Sequence, residues 1–102
     1  VTVVAYAPDL MDRSKLSAAN PDVSFVSRPG DLPAAADGAD LVVVDLGRPA
    51  VFEVLAEVTG VARVIGFGSH VDRATLERAQ AAGCEAMPRS QFFRSLGELL
   101  SS

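Results

Sequence analysis

Cysteine, histidine and lysine each occur once in this sequence, as Cys84, His70 and Lys15, and tryptophan is absent. A single cysteine excludes an intramolecular disulfide and a multi-cysteine metal site. With one histidine, a transition-metal site would need carboxylate partners, and none stands at a suitable spacing. The arginines are scattered and the formal net charge is −4. Clustered basic groups that would neutralise phosphates are therefore missing, and no nucleic-acid partner is expected. No apolar run approaches the roughly 18–20 residues that a bilayer span needs. The first residues form a β-like run, not a basic segment leading into an apolar signal. The expectation is a soluble, cytoplasmic domain with no membrane partner. The chain opens on Val1 where a Met would begin a primary product, which suits a processed chain or a piece of a longer one.

What is present is ordinary for a globular domain. The chain has 102 residues, 49% of them hydrophobic and 22% charged, which suits one domain over residues 1–102 with a single layered core. Short β-branched runs alternate five times with longer amphipathic stretches. Val1–Tyr6 is nearly all apolar, as a parallel strand buried on both faces should be. Asp9 is a good cap for a helix running to about Asn20, with Leu10, Met11 and Leu16 turned inward. Val23–Ser27 reads as a second strand, and Asp31 caps a short helix with Pro33 in its first turn and Gly38 closing it.

Leu41–Asp45, LVVVD, is the strongest strand signal and should be central. A helix from about Ala50 to Thr59 would turn Phe52, Leu55, Ala56 and Val58 inward. Val61–Phe67 is the fourth strand. Asp72 caps a helix through Ala82, with Gly83 just past its end, and Glu85–Pro88 is a brief fifth strand. Ser90 would cap the last helix, whose Phe93, Leu96, Leu99 and Leu100 form an apolar stripe. Strands alternating with helices through short links imply right-handed crossovers and a parallel sheet. The fold class is α/β: three layers, flavodoxin-like, with a five-stranded parallel sheet of order 2-1-3-4-5 and helices on both faces. Ligands of such sheets lie outside the carboxyl ends of the first and third strands. The loops to inspect are 7–9, 45–48, 68–70 and 89–90.

In those loops the chain resembles the response-regulator receiver domain along essentially its whole length. Receivers carry an aspartate at the end of the third strand, often with proline four residues on, and Asp45 and Pro49 in DLGRP match. The stretch VIGFGSHVDRATLERAQAAGCEAMPRSQFF is similar to their fourth strand, fourth helix and the turn into the fifth strand, with Ala82-Gly83-Cys84 on the turn. Phe92 falls where receivers often place phenylalanine. The resemblance implies a phosphoacceptor position at Asp45. It also implies a divalent cation held by an acidic pair after the first strand, a hydroxyl after the fourth and a lysine after the fifth, since charge brought onto a carboxylate must be offset.

The supporting positions depart from that pattern. The acidic pair falls on Tyr6 and Ala7. The hydroxyl falls on Gly68, with Ser69 next to it. The lysine falls on Ser90, with Arg89 the nearest cation and Gln91 where proline should follow. The chain is thus expected to be a degenerate, pseudo-receiver version of the domain, with no catalytic residues and no metal site. Weak Mg²⁺ binding is expected only if Asp9 or Asp12 joins Asp45.

Each singled-out residue also has a plain reading. Asp45 ends a strand and would bond loop amides. His70 and Asp72 fit an exposed loop and a helix cap. Gly66-Phe67-Gly68-Ser69 resembles a phosphate-binding turn but follows the fourth strand and lacks an acidic ribose partner. Cys84 fits a buried small hydrophobe, and Arg73, Glu77 and Arg78 fit a solvated helix face. A pocket at the strand ends would be lined by Asp9, Ser69, His70, Arg89 and Ser90, and a partner face by Phe92 and Arg94. The leading expectation is a signalling or scaffold module that acts through contacts with a protein partner, without phosphotransfer, and a homodimer through the last α/β unit is compatible with it. The alternatives are an atypical receiver phosphorylated on Asp45, helped by Ser69 and Arg89, and a small enzyme or ligand-binding protein using the strand-end crevice.

Overall fold

A computed structural model describes residues 1–101. Its five parallel strands are β1 (Val3–Tyr6), β2 (Ser24–Phe25), β3 (Leu41–Asp45), β4 (Arg63–Gly68) and β5 (Glu85–Pro88). They lie in the order β2-β1-β3-β4-β5, as the alternation of elements predicts. The helices are α1 (Leu10–Ala19), α2 (Leu32–Ala36), α3 (Leu55–Thr59), α4 (Arg73–Ala81), α5 (Arg89–Arg94) and α6 (Leu96–Ser101). No helix among the described residues is long and apolar enough to cross a membrane.

Side chains alternate across a strand, so the central strands feed two cores. Val4, Tyr6, Val42, Val44 and Val64 point to one, closed by residues of α2, α3 and α4. Val3, Ala5, Leu41, Val43, Ile65 and Phe67 point to the other, closed by Leu16 of α1 and by Phe92, Leu96 and Leu100 of α5 and α6. All four residues of β1 and all five of β3 are buried, which is why these segments read as unbroken apolar runs. Gly66 sits where β4 meets the first core closely. A Cβ there would come within 2.8 Å of Leu46 and 2.9 Å of the Cys84 Sγ. Gly83 follows α4 with φ 98°, a left-handed helix ending that glycine adopts without steric cost.

Several helix faces differ from the expectation. Leu10 and Met11 are 77% and 70% exposed, and α1 instead turns Asp12 and Leu16 inward. The segment after Asp45 opens with a 3₁₀ turn over Pro49–Glu53 before α3. Its buried stripe is Val51, Leu55 and Val58, an i, i+4, i+7 set that leaves Ala56 exposed and Phe52 half-buried. Asp31 makes no capping bond, because a 3₁₀ turn over Pro29–Asp31 runs straight into α2. The second strand keeps only Ser24 and Phe25.

The last helix breaks at Ser95, whose amide donates to Gln91 and Phe92 carbonyls at 3.2 Å each. Phe92, Leu96 and Leu100 are its buried set, while Phe93 and Leu99 are only partly covered. Ser90 does not cap this helix. Helical geometry begins at Arg89, straight after Pro88, so Ser90 lies inside the first turn.

Candidate functional site

Only two charged side chains among the described residues are buried, Asp12 at 2% and Asp45 at 6% exposure. Both stand at the carboxyl edge of the sheet. Asp45 is the last residue of β3, in register with Phe67 on β4. It shares the strand face of Leu41 and Val43, so it projects towards the side covered by α1, α5 and α6. Its Oδ1 accepts the Gly47 amide at 2.9 Å, and the Arg48 guanidinium lies 3.7 Å from Oδ2. Arg48 is half-exposed, so this pair faces water on one side.

Asp12 enters the same region from the first turns of α1. Its Oδ1 accepts from the Arg89 guanidinium at 2.7 Å, while Oδ2 is buried with no hydrogen-bond partner. Arg89, the first residue of α5, also lies over the Phe67 ring at 5.1 Å and near the Phe93 ring at 5.4 Å from the centroids. A planar guanidinium suits such stacking, and an ammonium would not replace it. The guanidinium therefore sits above the residue that lies alongside Asp45 in the sheet.

The other expected pocket residues bond locally or stand exposed. Asp9 is a cap: its Oδ1 accepts from the amides of Met11 at 2.9 Å and Asp12 at 3.1 Å. Ser69 Oγ accepts the Val71 amide at 3.3 Å in an exposed loop. His70 is exposed on the same loop. Asp72 accepts from the Thr75 amide and hydroxyl at 3.2 and 2.7 Å, and these bonds hold its carboxyl below the usual range. Ser90 is exposed at the start of α5.

Phe92 does not belong to an exposed partner face. It is 0% exposed and stacks on Phe67 with ring centroids 4.9 Å apart, so it is a core residue; Arg94 is exposed. Cys84 is buried, and burial pushes its thiol up to about 12, which leaves it protonated and unreactive at neutral pH.

The divalent cation implied by the receiver resemblance finds a poor donor set. Hard cations such as Mg²⁺ want about six oxygen ligands, several of them anionic or water. The end of β1 supplies Tyr6 and Ala7, both buried and neither a carboxylate. Asp12 has one oxygen bound to a guanidinium, and Asp45 has one oxygen bound to the Gly47 amide and the Arg48 guanidinium 3.7 Å from the other. No group of three or more His, Cys, Asp or Glu among the described residues could hold a metal ion. The single orphaned oxygen of Asp12 does not make up that deficit. The Asp12–Arg89 pair is the part of this site that the sequence reading missed. Its one signal was an aspartate four residues before the buried Leu16, on the face of α1 that meets the sheet.

No family model matches the chain, and no curated protein is significantly similar to it in sequence. Among solved structures the fold is similar to that of a response regulator from Hahella chejuensis. The two share 17% sequence identity and a TM-score of 0.79, over 99% of this chain and 93% of that one. With the strand order and the place of Asp45, this likeness shows the fold to be that of a response-regulator receiver.

Proposed function

We propose that the chain is a signalling or scaffold module built on the receiver fold, acting through contacts with a protein partner and without phosphotransfer to Asp45. The observation that carries this reading is the state of Asp45. Its Oδ1 accepts the Gly47 amide, the Arg48 guanidinium lies 3.7 Å from Oδ2, and the end of β1 presents Tyr6 and Ala7 where a cation would need carboxylates. A carboxylate that is to receive a phosphoryl group needs concentrated positive charge beside it to offset the anion that forms. Arg89, which would have to assist, is paired with Asp12. A module of this kind would work in the cytoplasm.

The test exposes the protein to acetyl phosphate, and separately to beryllofluoride, with excess Mg²⁺. Amide NMR shifts and intact mass are followed. The expected result is an unchanged mass and no saturable shifts around Asp45. A mass gain of one phosphoryl group, lost in an Asp45→Asn variant, would overturn the reading in favour of an atypical but working receiver.

A further inference from the structure

The two buried carboxylates share one arrangement: each carries an arginine from its own chain, and each arginine remains partly exposed. The Asp12 Oδ1 holds Arg89 at 2.7 Å, and Arg48 lies 3.7 Å from Asp45 Oδ2. A buried carboxylate without a cation is costly, and the cost is met either by a bound ion or by a side chain. We infer that Arg89 and Arg48 are tethered counter-ions, which take over in this crevice the charge-neutralising task of a divalent cation, so that its folded state does not respond to magnesium. The inference deepens the reading of a module without phosphotransfer and fails separately from it.

Three features carry it. Arg89 is held in place by more than charge. Its guanidinium packs near the rings of Phe67 and Phe93, which belong to the mutually packed trio with Phe92. The cation thus rests against the rim of the second core, with one side open to water. The two pairs also set a guanidinium against each buried carboxylate, so a free divalent ion would meet a positive charge already in place beside both. Finally, Asp12 and Arg89 stand 77 positions apart, so the pair ties the start of α1 to the junction of β5 and α5. A free ion would have to be supplied to make that connection. Here the chain supplies it.

The experiment has two arms. In the first, the intact protein is titrated with MgCl₂ against NaCl of matched ionic strength, following amide shifts and the thermal midpoint in excess Mg²⁺ and in EDTA. The same midpoint in both, with no saturable shift at residues 6–12 or 45–48, is the expected result. Saturable magnesium binding at those amides would overturn the inference.

The second arm is a double-mutant cycle of Asp12→Asn and Arg89→Met, read by urea unfolding. The coupling expected between them is about tenfold or more in the folding constant. Additive losses would show that Arg89 is not the counter-ion of Asp12. Asp45→Asn, which leaves the Asp12–Arg89 pair intact, serves as the folded control if the single variants of the pair do not fold. In it the midpoint must again be the same in Mg²⁺ and in EDTA, and a difference counts against the inference. Phosphoryl labelling of Asp45 in EDTA would support tethered counter-ions while overturning the phosphotransfer-free reading. Magnesium binding without labelling would do the reverse.

Discussion

Phe67 and Phe92 stack with ring centroids 4.9 Å apart and planes 20° from parallel, joining the carboxyl end of β4 to α5. Phe93 packs edge-on against both, at 5.2 and 4.9 Å. Offset and edge contacts of this kind add to the area that each ring buries. The trio closes the second core beneath the Arg89 guanidinium, so the packing of three rings and the placement of one cation are a single structural fact.

Truncation of Phe92 should therefore be severe. Phe92→Ala empties a fully buried ring site and is expected to cost about 3–5 kcal/mol. Arg94→Ala, on the exposed side of the same helix, should stay within about 0.5 kcal/mol. Urea unfolding of both variants measures the contrast. Equal, small losses would return Phe92 to the surface.

Gly66 offers a second steric test. A Cβ at this position meets the Leu46 Cγ and Cδ1 at 2.8 Å and the Cys84 Sγ at 2.9 Å, distances at which something must shift. Gly66→Ala should destabilise by about 1–3 kcal/mol through overpacking. Replacing Leu46 with Ala in the same chain should recover part of that loss, because the clashing Leu46 Cγ and Cδ1 are then gone. Additive losses in the pair would show that the neighbours yield cheaply.

The strands were legible in the sequence because their signal is local. LVVVD is buried on both faces, and the structure keeps its bounds at Leu41 and Asp45. Glu85–Pro88 also survives unchanged. The helix faces were less legible, because an apolar count cannot register a charge that is buried by a distant partner. Asp12 is turned inward by Arg89, which comes from the other end of the chain, and Leu10 and Met11 are turned out in consequence. The same holds for Phe92 and Phe93. Both are apolar and adjacent, and only the position of Phe67 on β4 decides which of them stacks. At the site, the place of Asp45 was readable from strand order, whereas the Gly47 bond to its Oδ1 and the approach of Arg48 depend on a loop geometry that composition does not encode.

The Arg63–Glu85 pair links the amino ends of β4 and β5 through two bonds, at 2.6 and 3.0 Å. The Arg63 hydrogen bonds hold the Glu85 carboxyl below its ordinary value. A carboxylate with a lowered folded-state pKa contributes stability above its unfolded pKa and loses it as pH falls through the folded one. Both side chains are about half-exposed, so the contribution should be less than about 1 kcal/mol. Glu85→Gln is expected to cost no more than that at pH 7 and low salt. The difference from the parent should vanish at high salt and shrink as pH falls through the lowered folded-state value. Unfolding midpoints across that range measure it, and a loss of several kcal/mol would contradict the exposed geometry.

Cys84 gives the opposite pH dependence. Its thiol is buried beside Gly66, and its ordinary value of 9.0 rises to about 12, first through burial and then through the neighbouring Glu85 carboxylate. Between those two values the unfolded chain releases a proton that the folded chain retains. The unfolded state then binds fewer protons, so stability falls as pH rises. The contribution is fully present below about pH 9 and is lost progressively towards pH 12. Cys84→Ser would bury a hydroxyl and confuse the comparison, so Cys84→Ala is the control. Its stability should lack this component of the decline above pH 9, although it is lower at pH 7 from the lost sulfur. The same burial predicts that a thiol reagent at pH 8 labels the folded protein only at the rate of opening, and that urea accelerates labelling in step with the unfolded fraction. Prompt labelling in the absence of denaturant would place the sulfur at the surface and remove the basis for the pH dependence.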